Sequence, residues 1–384
     1  MKRVGLIFLA AVLMIGVLAR PGQAAQLDVA GKSAVLIDAA TGTVLYEQNA
    51  HEALPPASVT KVMTMLLIME AIDAGKIGWD DMVTASEAAA AKGGSQIYLK
   101  VGESLSVSDM LKSIAVSSAN DCACAMAEHI AGSESAFVDM MNQRAKELGM
   151  NDTNFVNCTG LDDGAEAANH KTSAYDIALM SRDLLKNHPD IRKFTTIWMD
   201  TVRDGAFGLS NTNKMVRFYS GCTGLKTGFT SGAGYCLSAS AEREGMELIA
   251  VVMGAATSQE RFSACKSMLD YGFANFALYA PVLQEGASVP VTLGKRSAVG
   301  AVPGGETELL IDKAQRSAIT TEIQLESSVT APVSKGQRLG TLVIKSGDQT
   351  LTQVPLVAEE GIERLSWGDV TVNLLRQMAM AKTS

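Results

Sequence analysis

Residues 224–255 read GLKTGFTSGAGYCLSASAEREGMELIAVVMGA. Three β-type runs, Gly224 to Phe229, Tyr235 to Ala241 and Leu248 to Met253, alternate with glycine-containing turns, the pattern of consecutive antiparallel strands. Helical periodicity follows from about Gln259 to Leu278. Near the other end, AVLIDAATGTVLYEQ (34–48) supplies two more β-rich runs around a glycine turn. Helices lie between. SVTKVMTMLLIMEAIDAG (58–75) places Val62, Met65, Leu66 and Met69 at helical spacing, with Gly75 as a stop. Ser106-x-x-Asp109 opens a helix to about Val116, and Ser133 to Leu148 and Ser173 to Leu185 are amphipathic. A hairpin, a run of helices, a sheet and a closing helix describe one α/β (α+β) domain over residues 25–278, in which early and late strands share a sheet.

Past Pro281 the helical period stops. VTLG, TEIQLE and GTLVIKSGDQTLTQVPL are short alternating runs, with Ser346-Gly347-Asp348 as a hairpin turn, so residues 279–358 are expected to form a small all-β domain. In the tail, residues 359–384, Trp367, Val370, Leu374, Leu375 and Met378 recur at helical spacing. That amphipathic helix is too short and too charged to span a bilayer, but it fits a membrane surface. At the start, Lys2 and Arg3 precede an apolar run from Val4 to Ala19 and the small residues Gly22 and Ala24, so residues 1–24 read as a secretory signal peptide. The mature chain is expected outside the cytoplasm, at the outer face of the cytoplasmic membrane or in the cell-wall space.

The chain has 384 residues, 47% hydrophobic and 19% charged, which excludes disorder and favours two domains. Its 33 Lys+Arg against 41 Asp+Glu give a net charge of −8, and loss of Lys2, Arg3 and Arg20 with the leader deepens this to −11. Nucleic acid is excluded as a partner by the lack of basic surplus. The four histidines, His51, His129, His170 and His188, show no metal-ligand spacing, so no metal and no cofactor is expected. Six cysteines allow 15 pairings, without a CxxC; the reading preferred here is buried free thiols, because a chain of this size needs no staples.

Three short motifs carry the chemistry: Ser58-Val-Thr-Lys61 at a helix start, Ser118-Ala-Asn120 between helices, and Lys226-Thr-Gly228 on a strand. A second Ser-x-x-Lys, Ser263 to Lys266, falls on the closing helix. Three residues apart on a helix, Ser58 and Lys61 share a face, and a neutral lysine amine accepts a serine proton. That role needs a lysine pKa well below about 10.4. Burial and a nearby cation both lower it, and Lys226 is the expected cation. No GxSxG elbow occurs, and no histidine stands in a context suggestive of a Ser-His-Asp triad.

With these motifs the chain resembles the penicillin-binding proteins and serine β-lactamases, and within them the low-molecular-weight D-alanyl-D-alanine carboxypeptidases. PPASVTKVMTMLL, SSANDCACAMAEHI, NCTGLDDGAEAANHKTSAYDIALMSR and MLDYGF carry the likeness along essentially the whole chain. The resemblance implies a β-lactamase-like transpeptidase fold and an acyl-enzyme mechanism on peptidoglycan stem peptides, with β-lactams as covalent inhibitors. Ser58 would be the nucleophile, Lys61 its general base and Ser118 the proton carrier to the leaving D-alanine. Asn120, Lys226, Thr227 and Gly228 would bind substrate, with the backbone N–H groups of Ser58 and Phe229 as the oxyanion hole. Arg261 would pair with the terminal carboxylate.

Rival readings use the same residues. A β-lactamase needs a deacylating glutamate; Glu166 stands three residues before Asn169, where the lactamase loop has a spacing of four, and reads as a solvated loop residue. A DD-endopeptidase would differ only in cleft shape. A non-catalytic β-lactam or peptidoglycan sensor is disfavoured because every motif residue is present.

Overall fold

The computed structural model describes residues 27, 29–164, 166–281, 286–305 and 307–372. The leader and the tail residues Leu374, Leu375 and Met378 lie outside the described residues. The centre is a five-stranded antiparallel sheet in the order Val44–Gln48, Ser33–Asp38, Met246–Ala255, Gly234–Arg243, Cys222–Thr230. The N-terminal hairpin thus docks on the last strand of the late meander, with Ser33 opposite Met253 and Asp38 opposite Leu248. The non-alternating run LIAVVM has a physical cause, for both faces of the sheet are covered. Ile249, Val251 and Met253 join the core beneath the helical layer, while Leu248, Ala250 and Val252 face the closing helix.

That layer is built around helix Lys61–Asp73, whose first nine residues are buried on every side. Helices Val107–Ser117, Asn120–Ala131, Glu134–Glu147 and Ala174–Asn187 surround it. Ser106, Ser133 and Ser173 each accept a hydrogen bond from the backbone N–H three residues on, so helix starts read from sequence are capped starts. On the opposite face, helix Ser258–Asn275 begins with a reciprocal Thr257/Glu260 capping box. It crosses closely because Gly272 has no side chain; a Cβ there would meet Leu248 Cδ1 at 2.4 Å.

The closing helix ends earlier than its periodicity indicates. Phe276–Tyr279 is a strand, paired antiparallel with Leu309–Asp312. Phe276 and Leu278 still cover the same core beside Leu310, at a spacing of two rather than of three or four. Next comes a six-stranded sheet in the order Ile319–Leu325, Arg338–Ser346, Gln349–Ala358, Ala298–Pro303, Ser288–Thr292, Val329–Thr330. Its cores are small, one around Val289, Val299, Leu339 and Ile362, the other around Leu342, Val354 and Leu356. Residues 359–365, expected with the helical tail, instead stay with this β unit. Ile362 is buried and bridges Val333, and Arg364 bridges Gly294. Helix begins at residue 367 with Trp367, which is 89% exposed. No helix among the described residues is long and apolar enough to cross a membrane. All six cysteines are free, and all but Cys222 are fully buried.

Candidate active site

Ser58 lies in the 3-10 turn Ala57–Thr60 that leads directly into helix Lys61–Asp73. Just before it, Ala57 adopts φ 49°, a left-handed conformation that costs a residue with a Cβ about 1–2 kcal/mol. Lys61 is completely buried, and its Nζ donates to Ser58 Oγ (3.0 Å) and to the Thr159 carbonyl (2.8 Å). Burial lowers the amine to about 7. The second expected cause, Lys226, is not what moves it; desolvation alone outweighs the neighbouring Asp121 carboxylate, which pulls the other way. A lysine poised near neutrality is half in its basic form at pH 7.

The second motif occupies a corner. Helix Val107–Ser117 ends at Ser118 in the left-handed conformation (φ 63°), and the next helix starts two residues later at Asn120. Asn120 is tied down by its backbone N–H to Ser95 O (2.7 Å) and its Nδ2 to Gly93 O (2.7 Å). The Asp121 carboxylate accepts from the N–H groups of Ile97, Leu99 and Cys122, fixing the adjacent loop. Ser118 Oγ and Asn120 Oδ1 are buried without a hydrogen-bond partner. Buried polar atoms are rarely left so, and here both belong to one motif.

The third motif runs along the outer edge strand of the sheet, Cys222–Thr230. Its approach to the nucleophile depends on Gly228, where a Cβ would stand 2.7 Å from Pro56 O and 3.0 Å from Ser58 N. Lys226 is buried, with Nζ donating to Thr227 O (2.9 Å). Burial, then Lys61 and Arg261, push its pKa well below the ordinary lysine value. Thr227 Oγ1 donates to Thr212 Oγ1 (2.7 Å). Arg261 lies behind the strand, its Nη1 donating to the carbonyls of Gly228 (2.8 Å) and Cys236 (3.2 Å), its guanidinium stacked over Tyr235 and Phe262. Phe229 is 52% exposed, its ring tilted against that of Tyr235 at 4.3 Å. The fold therefore gathers the motifs around Lys61, which feels Asp121 next to the second motif and bears on Lys226 in the third, while Gly228 lies against the Ser58 backbone and Arg261 supports that strand from behind.

Sequence reading missed several residues that build this cleft. Thr159, acceptor of the Lys61 amine, stands in a turn where Asn157 Oδ1 receives the N–H groups of Thr159 (3.1 Å) and Gly160 (2.7 Å). The signal was the Asn-x-x-Gly of NCTG. Thr212 is presented by its neighbours: Asn211 Nδ2 grips Ile197 O (2.7 Å) and Asn213 Nδ2 grips Gly224 O (3.0 Å). The Asn-Thr-Asn triplet was the available clue. His170, buried against Thr60, carries a lowered pKa of about 4 from burial and from Lys61. Glu166 lies exposed in its loop. Among the described residues, the one group spaced to hold a metal ion is Glu70, Asp183 and His188, and Arg144 already supplies a cation to Glu70 (2.6 Å) and Asp183 (2.8 Å).

Comparison with known proteins finds relatives for both parts of the chain. The family described as D-alanyl-D-alanine carboxypeptidase matches residues 20–257, and that described as penicillin-binding protein 5, C-terminal domain, matches residues 279–364. The D-alanyl-D-alanine carboxypeptidase DacF of Bacillus subtilis is 45% identical over 340 residues, 87% of this chain and 86% of the relative. The crystal structure of penicillin binding protein 5 from Haemophilus influenzae superposes with a TM-score of 0.75 at 30% identity, covering 88% of this chain and 98% of the other. Penicillin-binding protein D2 from Listeria monocytogenes, in its ampicillin-bound form, gives 0.59 at 32% identity over 64% of this chain and 99% of the other.

Proposed function

The chain belongs to the D-alanyl-D-alanine carboxypeptidase family, and from that premise we propose how its cleft works. It is a serine-type D-Ala-D-Ala carboxypeptidase and a penicillin-binding protein, acting on peptidoglycan peptides. In the proposed reaction neutral Lys61 takes the Ser58 proton as Ser58 Oγ attacks the carbonyl between the last two D-alanines. The N–H groups of Ser58 and Phe229 receive the developing oxyanion, a contribution of about 3–4 kcal/mol per donor in comparable sites. Ser118 passes the proton to the departing D-alanine, and Asn120 holds the peptide backbone. Water then releases the acyl group, with Lys61 again as base.

The substrate carboxylate is assigned to Thr227 and Lys226. Buried opposite Lys61 and Arg261, Lys226 holds its proton poorly alone. An arriving carboxylate reverses that balance and settles the charge on Lys226 while leaving Lys61 free to act as base. Gly228 lets the strand lie against the peptide edge. Arg261 contributes positive potential and holds the Gly228 carbonyl, since its Nη1 donors are already engaged there and at Cys236. The observation that carries this reading is the 3.0 Å contact between Lys61 Nζ, wholly buried, and Ser58 Oγ.

A labelled penicillin tests it. Covalent label is expected at Ser58 and absent from Ser58→Ala and Lys61→Ala; label surviving in Ser58→Ala sinks the mechanism. Release of D-alanine from a stem pentapeptide, set against cleavage of cross-linked dimers, separates carboxypeptidase from endopeptidase action.

The same proposal sets the enzyme at the outer face of the cytoplasmic membrane. Its support is the basic-then-apolar start, Lys2 and Arg3 before Val4 to Ala19, and the bare indole of Trp367 at the head of the tail. Deleting residues 367–384, which spares the β unit, is expected to move the protein from the membrane fraction to the soluble one. An unchanged distribution rejects the anchor.

A further inference from the structure

Behind the nucleophile runs a buried chain of hydrogen bonds that enters the first motif only at Thr60, one of its two unspecified positions. The backbone N–H of Val156 donates to Nδ1 of His170 (3.0 Å). With Nδ1 accepting, the hydrogen of a neutral ring sits on Nε2, which meets Thr60 Oγ1 at 2.8 Å. The Thr60 hydroxyl in turn donates to the carbonyl oxygen of Ala57 (2.8 Å). Polarity therefore runs one way, from Val156 through His170 and Thr60 to Ala57. His170 is 3% exposed and Thr60 fully buried, and the Phe155 ring packs beside the imidazole at 5.8 Å. The charged group that faces the ring is Lys61; together with burial it keeps His170 neutral down to about pH 4.

The target of this chain gives it meaning. The Ala57 carbonyl and the Ser58 N–H belong to one planar trans peptide and point in opposite directions. Holding the oxygen aims the hydrogen. Ala57 itself sits in the left-handed region, a conformation that persists only where its surroundings hold it. Gly160 closes the remaining side, for a Cβ there would lie 1.8 Å from Ala57 O. We propose that His170 and Thr60 are positioning residues for the oxyanion hole, directing the Ser58 N–H through the carbonyl of Ala57. The proposal deepens the reading of Ser58 as nucleophile and rests on it. Neither residue touches substrate.

Single-turnover acylation by a chromogenic β-lactam, with the full-length protein, tests the idea. Thr60→Val keeps the shape and removes the hydroxyl. The acylation rate constant is expected to fall about 10- to 100-fold, with binding of the unreacted antibiotic changed less than about threefold, because the donor matters most in the transition state. Thr60→Ser recovers most of the rate, and His170→Gln, which keeps a donor and an acceptor, retains more than His170→Leu. The double variant His170→Leu/Thr60→Val is no slower than Thr60→Val alone, since one chain is then cut twice. Parental rates in folded Thr60→Val, a loss confined to binding, or multiplicative effects in the double variant overturn the proposal. Nitrogen NMR of the imidazole needs no substitution: at pH 7 it should report a neutral ring with the proton on Nε2, and the opposite tautomer overturns the proposal. Label that survives in Ser58→Ala defeats the nucleophile reading instead, and leaves the tautomer result standing.

Discussion

The two walls of the cleft differ in how their polar atoms are engaged. On the helical side, Ser118 Oγ and Asn120 Oδ1 are buried and unpaired. On the strand side, Lys226 Nζ, Thr227 Oγ1 and Arg261 Nη1 each already hold a partner within 2.9 Å, and the unpaired atom is Arg261 Nε, behind the strand. The strand wall instead carries a cation that is costly to keep charged, for Lys226 is buried and also feels Lys61 and Arg261. One wall is thus short of hydrogen bonds and the other short of a negative charge. A peptide ending in a carboxylate supplies both, which is why a neutral polar ligand would satisfy only half the site.

The sharpest way to break this contrast is Ser118→Ala. Removing a buried hydroxyl that has no partner relieves a desolvation cost of about 1 kcal/mol, so Tm should hold or rise. The kcat for pentapeptide hydrolysis should drop about 10²- to 10⁴-fold with the loss of proton transfer. A clear fall in Tm would mean that the hydroxyl is paired in the empty enzyme, and the distinction between the walls would go.

Next in size is the pH profile of acylation. Lys61 must be neutral to act and titrates at about 7, so the rate should climb with pH to a plateau above that value. Below it the rate should lose about tenfold per unit. A flat profile across roughly pH 5–9 would remove Lys61 as the base. Stability carries the same sign. The folded amine titrates at about 7 against an ordinary 10.5, so between these values the unfolded chain binds more protons and Lys61's share of the stability rises with pH. Lys61→Met should lose that slope in urea titrations. The smallest effect belongs to Thr212→Val, which takes one hydrogen-bonding neighbour from Thr227. It should cost about 1 kcal/mol of substrate binding, a roughly fivefold rise in KM with kcat nearly unchanged.

What could be read in advance follows from which atoms do the work. Ser58, Lys61, Ser118, Asn120 and the Lys226–Gly228 triplet act through side chains or local backbone that the chemistry itself demands, so three short motifs announce them. The meander at 224–255 and the N-terminal hairpin were legible because glycine turns punctuate them. Thr159, Gly160, Thr212 and His170 were hidden. Their roles depend on partners distant in sequence, as Lys61 depends on the Thr159 carbonyl, 98 residues on, and Thr60 on the His170 ring, 110 residues on. No short motif records such a pairing. For a similar reason the closing helix was read three residues too long: Phe276 and Leu278 satisfy an apolar pattern in either conformation, and a strand 30 residues later, Leu309–Asp312, decides between them.

The six unbridged cysteines have a consequence for how the chain reaches its working form. Burial lifts the thiols of Cys122, Cys124, Cys158, Cys236 and Cys265 above their ordinary titration range, leaving little thiolate to attack an oxidised partner. Maturation on either side of a membrane then calls for no thiol oxidase or disulfide isomerase. The folded enzyme should be indifferent to reductants that unravel stapled secreted proteins.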